Sequence, residues 1–321
     1  MKKLLFVLSL FFVGVISLVS CNKEEYDIVV TSYPCYDAVM AVTKDTDMKV
    51  KLLLKPGSDI HSYEPSATDI KAVLNSKLFV YVGGESDSEW VESDILGNLK
   101  NKETKIVSMF NVLEGKLLEE EEDEHEHDHN HEEEEYDEHV WTNPFNYELV
   151  INSIKDSLIQ IDNKNKDKYE SNHKAYISNL KDLDSKMKKV IDDSNKKRIV
   201  VADRNPFLYF GEYYGIEVIG ALSGCSSDKN VPSSKIVELK NSVETNGLKA
   251  IFKIELSDGN IASSVKNEVD NDIKSGKYNG SNITIETLYS MQNITSDDFN
   301  NGLTYLDYFS KNIEAMKKAL S

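Results

Sequence analysis

Histidines alternate with acidic residues in one stretch of this 321-residue chain, from Glu119 to Glu138. The stretch contains fourteen Asp and Glu residues and no Lys or Arg, and it accounts for most of the formal net charge of −18. Neutral imidazole and carboxylate together suit borderline divalent cations such as Zn²⁺. Because no apolar period runs through it, we expect a solvated accessory loop that attracts metal ions. A merely solubilising acidic loop is the plainer alternative. The four histidines are His125, His127, His129 and His131.

Single polar residues outside this loop fall near the ends of predicted strands, where ligands bind in open α/β sheets. His61 lies in the loop after the second strand, and His139 lies between the acidic loop and a helix. In the second half of the chain, Asp203, Glu255 and Tyr289 each end a strand. Two histidines and a carboxylate from the two halves would make a small cation site in a cleft. The alternative is that each is an ordinary loop residue.

The N-terminal residues have the features of an export signal. Two lysines precede an apolar run that ends in Leu-Val-Ser before Cys21, so we interpret residues 1–20 as a signal peptide. This ending resembles a bacterial lipobox, which implies cleavage before Cys21 and attachment of membrane lipid to its sulfur. Cys35 and Cys225 are left, and we expect them to be buried inert thiols, with a disulfide or a soft metal site as the alternatives.

Short apolar, β-branched runs alternate with helical stretches in both halves of the chain. Such runs are typical of strands buried on both faces of a parallel sheet. The alternation predicts an α/β fold with two lobes. We assign residues 21–142, including the acidic loop, to the first lobe and residues 196–321 to the second. The strongly negative charge makes nucleic acid and anionic membrane surfaces improbable partners.

The residues between the lobes, 143–195, predict a helical region. Asn143 and Pro144 form an N-cap and a first-turn proline. His173 lies inside an apolar stripe of helical period, so we expect it to be a packed histidine and not a metal ligand. A stiff helix here would join the lobes as a fixed hinge. The stripe consists of Tyr169, His173, Tyr176, Leu180, Leu183, Met187 and Val190.

Several segments resemble the zinc-binding, or more broadly metal-binding, lipoproteins of ABC importers. The resemblance covers essentially the whole mature chain, and HSYEPS and the loop before EHVW are its most specific parts. It implies two lobes with mainly parallel four-stranded sheets, joined by a rigid helix, with metal held in the cleft between them. His61 and His139 match the first two histidine ligands of the family. The segments are KPGSDIHSYEPSATDI, EHVWTNP, the aromatic run from Phe207 to Gly215, and GLTYLDYFSKNIEAMKKAL.

The second lobe departs from the family pattern at both remaining ligand positions. Arg204 stands at the place of the usual third ligand, and Tyr289 stands at the fourth. A unit charge ~4 Å from a divalent ion would cost roughly 8 kcal/mol at an effective dielectric near 20, so Arg204 must point away or pair with an acid. Adjacent strand residues face opposite ways. We therefore expect Asp203 to be the third ligand, with water or Tyr289 as the fourth.

The sequence thus predicts a non-enzymatic, monomeric solute-binding lipoprotein, anchored outside the cell membrane, that captures Zn²⁺ and delivers it to an ABC permease. Histidine ligation favours Zn²⁺ over Mn²⁺. A manganese- or iron-binding importer subunit and a metal-binding surface adhesin are the nearest alternatives. A zinc hydrolase would need an open metal position and a general base, and the sequence contains no HExxH or comparable compact motif.

Overall fold

The computed structural model describes residues 25–99, 104–120, 136–224, 226 and 231–321, and two four-stranded parallel sheets organise them. The first sheet has the order β2-β1-β3-β4, with β1 at Ile28–Val30, β2 at Val50–Leu52, β3 at Leu78–Tyr81 and β4 at Lys105–Ser108. The second has the order β6-β5-β7-β8, with β5 at Arg198–Asn205, β6 at Glu217–Ser223, β7 at Ala250–Lys253 and β8 at Thr284–Thr287. The predicted α/β fold with two parallel four-stranded sheets is confirmed.

Helices cover both sheets. Those of the first half are α1 (Tyr33–Thr43), α2 (Ala67–Asn75), α3 (Ser88–Trp90) and α4 (Met109–Val112). The region between the sheets contains α5 (Pro144–Ile161) and α6 (Lys166–Asp192). The second half contributes α7 (Leu208–Tyr214), α8 (Ser233–Asn246), α9 (Asn260–Ser275), α10 (Ser296–Asn300) and α11 (Tyr305–Leu320). Within the described residues, no helix combines the length and the apolarity needed to cross a membrane.

The central strands of the first sheet are buried along their whole length. β1 has the sequence IVV and β3 has the sequence LFVY, and every residue of both strands is buried. A parallel strand covered by helices on both faces needs such a continuous apolar run. The sheet therefore forms where the sequence predicts it.

The long helix α6 follows the predicted apolar stripe. Tyr169, Leu180 and Met187 are buried along one face of its 27 residues, and a helix of this length spans about 40 Å. His173 Nε2 donates a hydrogen bond to Asn152 Oδ1 of α5 at 2.6 Å, so the histidine packs between the two helices as expected. At the start of α5, the Asn143 side chain accepts hydrogen bonds from two backbone N–H groups of the first turn, which confirms the predicted N-cap.

One continuous apolar core joins the two sheets. It runs from the inner face of the first sheet through α1, α5 and α6 to α11 and the inner face of the second sheet. Smaller apolar clusters lie on the outer face of each sheet. The two halves therefore share a packed interior and are not joined by a flexible linker.

Asp37 is the buried polar centre of this shared core. Its carboxylate accepts hydrogen bonds from the Tyr147 hydroxyl of α5, the Tyr176 hydroxyl of α6 and the Tyr305 backbone N–H of α11. The residue itself lies on α1 and is 5% exposed. Burial raises the pKa of the Asp37 carboxyl group. One side chain thus connects four helices, including elements of both lobes.

We expect Asp37→Ala to lower the free energy of unfolding by about 2–4 kcal/mol, because the Tyr176 hydroxyl and the Tyr305 backbone N–H would lose their acceptor and the Tyr147 hydroxyl would keep only the Pro34 carbonyl. Urea denaturation of the full chain measures this change. Asp182→Ala, which removes a carboxylate that is 62% exposed on α6, is the matched control and should change stability by less than about 0.5 kcal/mol. Equal effects of the two variants would contradict a central role for Asp37.

Candidate metal centre

His61 and His139 meet between the lobes, with their ring centroids 6.0 Å apart. His61 lies in a short 3-10 turn after β2, where the Asp59 carboxylate accepts a hydrogen bond from the His61 backbone N–H at 3.2 Å. His139 is fully buried just before α5. Gly224 of the second lobe lies against the His139 ring, and a Cβ there would stand 3.0 Å from His139 Cε1. A side chain at this position would crowd the imidazole, and glycine lets the second lobe lie against it.

Glu138 adds a carboxylate to the pair. The ligating atoms of His61, Glu138 and His139 all lie within 4.8 Å of one another, and they form a group that can hold a divalent cation. Glu138 Oε1 is 3.5 Å from His61 Nδ1, and Ser86 donates hydrogen bonds to the same carboxylate from its backbone N–H and its hydroxyl. Two imidazoles and a carboxylate are ordinary zinc-binding groups.

Carboxylates engage the Nδ1 side of both imidazole rings. Asp137 Oδ1 lies 3.3 Å from His139 Nδ1 and also accepts the His139 backbone N–H at 2.8 Å. The Ser86 hydroxyl lies 3.2 Å from His61 Nδ1 and donates to Glu138, whose Oε1 lies 3.5 Å from the same nitrogen. Such carboxylate–imidazole pairs orient histidines that bind metals through the opposite nitrogen. The two Nε2 atoms are therefore the nitrogens available to a cation.

The two histidines have shifted pKa values of opposite sign. Burial lowers the pKa of His61, and the neighbouring charges of His139 and Arg204 act in the same direction, against the effect of Glu138. Burial alone would also lower the pKa of His139, but Asp137 and Glu138 outweigh it and raise that pKa to about 9. The difference follows from the carboxylates packed against the fully buried ring.

Gln292 of the second lobe lies between the two Nε2 atoms. Its Oε1 is 3.1 Å from His139 Nε2, and its Nε2 is 2.9 Å from His61 Nε2. The residue follows β8 and is 7% exposed. The second lobe thus reaches the histidine pair through a neutral carboxamide.

Asp203 and Arg204 of β5 make different contacts. Arg204 Nη2 reaches the first lobe and lies 3.2 Å from Asp59 Oδ2, which confirms that this arginine pairs with an acid. The Asp203 carboxylate accepts the Arg204 backbone N–H, and Asp203 is not a member of the cation-holding group found in the described residues. The register of β5 shifts between Val201 and Arg204. A bulge re-aims side chains, so simple alternation does not decide which of the two faces the cleft, and Asp203 as the third ligand stays a prediction.

Tyr289 packs against α11. Its ring stacks on Tyr308 of α11 at a centroid distance of 4.5 Å, and Lys311 Nζ lies 5.3 Å from the ring centroid. Its backbone is held by Asn312 through two hydrogen bonds. That Tyr289 or water completes the ligand shell stays a prediction.

Glu255 stabilises the loop that carries Gln292. Its carboxylate accepts hydrogen bonds from the Ser290 backbone N–H at 2.7 Å and from the Ser290 hydroxyl at 2.6 Å. Trp141 Nε1 donates to the Ser290 carbonyl. Met291 has a φ of 61°, which is uncommon for a residue other than glycine. Glu255 therefore acts on the site through this loop.

The ends of the acidic loop are part of the folded body. Glu119 and Tyr136 form an antiparallel bridge, and the Tyr209 hydroxyl of α7 accepts the Leu118 N–H and donates to the Asp137 carbonyl. Asp137 and Glu138 are buried, so the last two acids of the run belong to the site.

Cys35 is a buried free thiol, as expected, and burial raises its pKa to about 12. His125, His127, His129, His131, Cys21 and Cys225 lie outside the described residues.

Three residues that contact the histidine pair were not predicted from the sequence, namely Glu138, Ser86 and Gln292. Glu138 is visible in the motif EHVWTNP, but its position at the end of an acidic run disguises it as another solvated charge. Gln292 follows Tyr289 by three residues, and its role depends on the unusual backbone at Met291. The structure has two packed α/β lobes with a histidine pair between them. This arrangement is that of a two-lobed binding protein with a cation site in its cleft.

This chain also matches the sequence model of a known protein family. The sequence model described as "Zinc-uptake complex component A periplasmic" matches residues 28–319. The chain belongs to this family of solute-binding proteins. It is 28% identical over 299 residues to the high-affinity zinc uptake system protein ZnuA of Bacillus subtilis, covering 92% of this chain and 88% of that protein.

The chain is also similar to one streptococcal protein, both in sequence and in structure. The zinc-binding lipoprotein AdcA of Streptococcus pneumoniae is 28% identical over 308 residues, which cover 94% of this chain but only 58% of AdcA. The crystal structure of the Zn(II)-bound ZnuA-like domain of AdcA superposes with a TM-score of 0.68 at 26% identity, covering 92% of this chain and 99% of that domain. The chain therefore corresponds to this domain of the longer protein.

Glu138→Gln should weaken binding of Zn²⁺, used here as a probe, by at least tenfold, because it removes the negative charge beside His61. Asp203→Asn removes a carboxylate charge from the second lobe and should change the dissociation constant less than twofold. Isothermal titration calorimetry of the two variants makes the comparison. A silent Glu138→Gln together with a damaging Asp203→Asn would restore Asp203 as the acidic group of the site.

Proposed function

We propose that this protein captures Zn²⁺ outside the cell membrane and delivers it to the permease of an ABC importer. The convergence of His61, His139 and Glu138 within 4.8 Å carries the proposal. The imidazoles provide the nitrogen ligands through Nε2, and Glu138 provides the negative charge that compensates the cation. Membership in the zinc-uptake family and the similarity to zinc-binding relatives support Zn²⁺ as the cargo.

The chemistry of the site favours Zn²⁺ over harder cations. Two imidazoles suit Zn²⁺, whereas carboxylate and water oxygens dominate typical Mn²⁺ and Mg²⁺ sites. The second lobe adds a neutral amide and the Arg204 guanidinium near His61 in place of further anionic groups. A site with a single acidic group holds its cation less tightly than one with several, which suits a protein that must release its cargo. The protein in this role is non-catalytic.

The acidic loop acts as an accessory collector. Its two ends join the body beside Asp137 and Glu138, so cations gathered by its carboxylates and histidines are brought close to the cleft. Ligands in a sequence without an apolar period would have to be ordered when they close on an ion, which costs conformational entropy, whereas hydrogen bonds already hold the histidines of the cleft. We therefore assign tight binding to the cleft and weak, multiple binding to the loop.

One zinc titration separates the two kinds of site. His61→Ala should abolish the tight site and leave the weak ones, because the cleft loses a nitrogen ligand. Replacement of residues 121–135 by a short glycine-serine turn should leave one tight site and remove the weak ones. Calorimetry reports affinity and stoichiometry for both. If the tight site disappeared with the loop while His61→Ala had no effect, the assignment would be reversed.

Cys21 is proposed to carry the lipid anchor, on the strength of the sequence that precedes it. Cys21→Ser should therefore leave the protein folded and able to bind zinc but release it from the membrane, because thioether attachment needs the sulfur. Fractionation of cells into membrane and soluble material measures this. Unchanged membrane retention of the variant would refute the lipid attachment.

A further inference from the structure

The hydroxyl group of Tyr209 binds both ends of the acidic loop. It accepts a hydrogen bond from the Leu118 backbone N–H at 2.9 Å and donates one to the Asp137 carbonyl oxygen at 2.9 Å. We call these two hydrogen bonds the Tyr209 tie. Tyr209 is buried and lies on α7 of the second lobe. The acidic loop therefore belongs to the first lobe in sequence but is fastened to the second.

Backbone pairing joins the same two ends, residues 118–120 and 136–138, into a short stem. Glu119 and Tyr136 form an antiparallel bridge, and the Asp137 N–H donates to the Leu118 carbonyl at 3.0 Å. A two-stranded pairing of this length is marginally stable by itself in water. Tyr209 adds to it by bonding the Leu118 N–H and the Asp137 carbonyl, which this pairing does not use.

The helix that carries Tyr209 is itself firmly held. The hydroxyl groups of Tyr213 and Tyr214 donate to the two carboxylate oxygens of Asp184 on α6, at 3.0 and 2.7 Å. Gly215 ends α7 in the left-handed conformation that favours glycine. The support of the tie is therefore the long helix between the lobes.

The stem must form against electrostatic repulsion. Residues 119–138 include fourteen Asp and Glu residues and no Lys or Arg. Like charges on two neighbouring chain segments repel one another, and salt or bound cations screen that repulsion. The Tyr209 hydroxyl is neutral and bonds only to backbone groups in this tie, so it holds the two segments together without adding charge.

We propose that Tyr209 is a positioning residue for metal capture, which fastens both ends of the acidic loop to the second lobe beside the cleft. Asp137 lies two residues before His139, so the stem ends at the cation-holding group. A loop fixed there presents its cations to the cleft at a high effective concentration. This role rests on the proposed function, because it assumes a collecting loop and a cation-binding cleft.

The tie should affect the rates of metal exchange and not the affinity of the cleft. A loop held beside the cleft transfers cations in both directions, so it speeds capture and release by one common factor. A residue that only supported the structure of the cleft would instead change the dissociation constant. The ratio of the two rate constants therefore separates a positioning role from a structural one.

Hydrogen exchange tests the contact itself. Tyr209→Phe keeps the ring and removes the hydroxyl, and Tyr213→Phe makes the same change elsewhere on α7 as a control. By NMR of the full chain, the Leu118 amide should be protected in the wild-type protein, exchange about tenfold faster in Tyr209→Phe, and be unaffected by Tyr213→Phe. Both partners of the tie lie outside the cation-holding group, so the result should be the same with and without zinc.

Stopped-flow exchange of Zn²⁺ between the protein and a chelating dye tests the role. At low ionic strength, Tyr209→Phe should slow capture and release about threefold, with the dissociation constant of the tight site unchanged within about twofold. Tyr213→Phe should leave both rates unchanged. When residues 121–135 are replaced by a glycine-serine turn, Tyr209→Phe should have no effect on either rate, because the collecting residues are gone.

Four results would overturn the inference. Free exchange of the Leu118 amide in the wild-type protein would show that the tie is absent, even if no variant folds. Unchanged zinc exchange rates in Tyr209→Phe, a raised dissociation constant, or equal slowing in the loop-replaced protein would remove the positioning role. Failure of the proposed function gives a different pattern, because His61→Ala would then leave the tight site intact while the amide exchange result still held.

Discussion

Asp37 carries its carboxylate into the core where α1, α5, α6 and α11 meet, and each of its three hydrogen bonds comes from a different helix. A buried carboxylate that lost these partners would be costly, so the helices cannot separate without a large penalty. The continuous apolar core around Asp37 also holds these helices together. The lobes are therefore fixed relative to one another, and the cleft exists before any cation enters it.

With the helices fixed, the loops that cross the cleft determine how the site behaves. The loop before His61 is joined to the loop after β8 by hydrogen bonds from Gly57 to Ile294 and from Ser296 to Pro56. Arg204 reaches across to Asp59, although a partly exposed ion pair of this kind contributes little stability. Loops of both lobes therefore hold the first-lobe turn that carries His61.

The sequence predicted the fold, the long helix and the histidine pair because these depend on local patterns. Buried parallel strands need continuous apolar runs, and His61 and His139 lie in motifs that mark their loops. The sequence does not decide whether Asp203 faces the cleft, because a register shift in β5 is not visible in an alternating pattern. Gln292 was missed since its position depends on a left-handed Met291 and on contacts with distant Glu255 and Trp141. Tertiary contacts of this kind leave no periodic signal.

Anomalous scattering at the zinc absorption edge shows whether Zn²⁺ lies between His61 and His139. In crystals of the zinc-loaded protein, we expect one strong anomalous peak in the cleft, about 2.0–2.1 Å from Nε2 of both histidines. A cleft without this peak, with zinc held instead beside Asp203 and Tyr289, would show that the two histidines do not form the site.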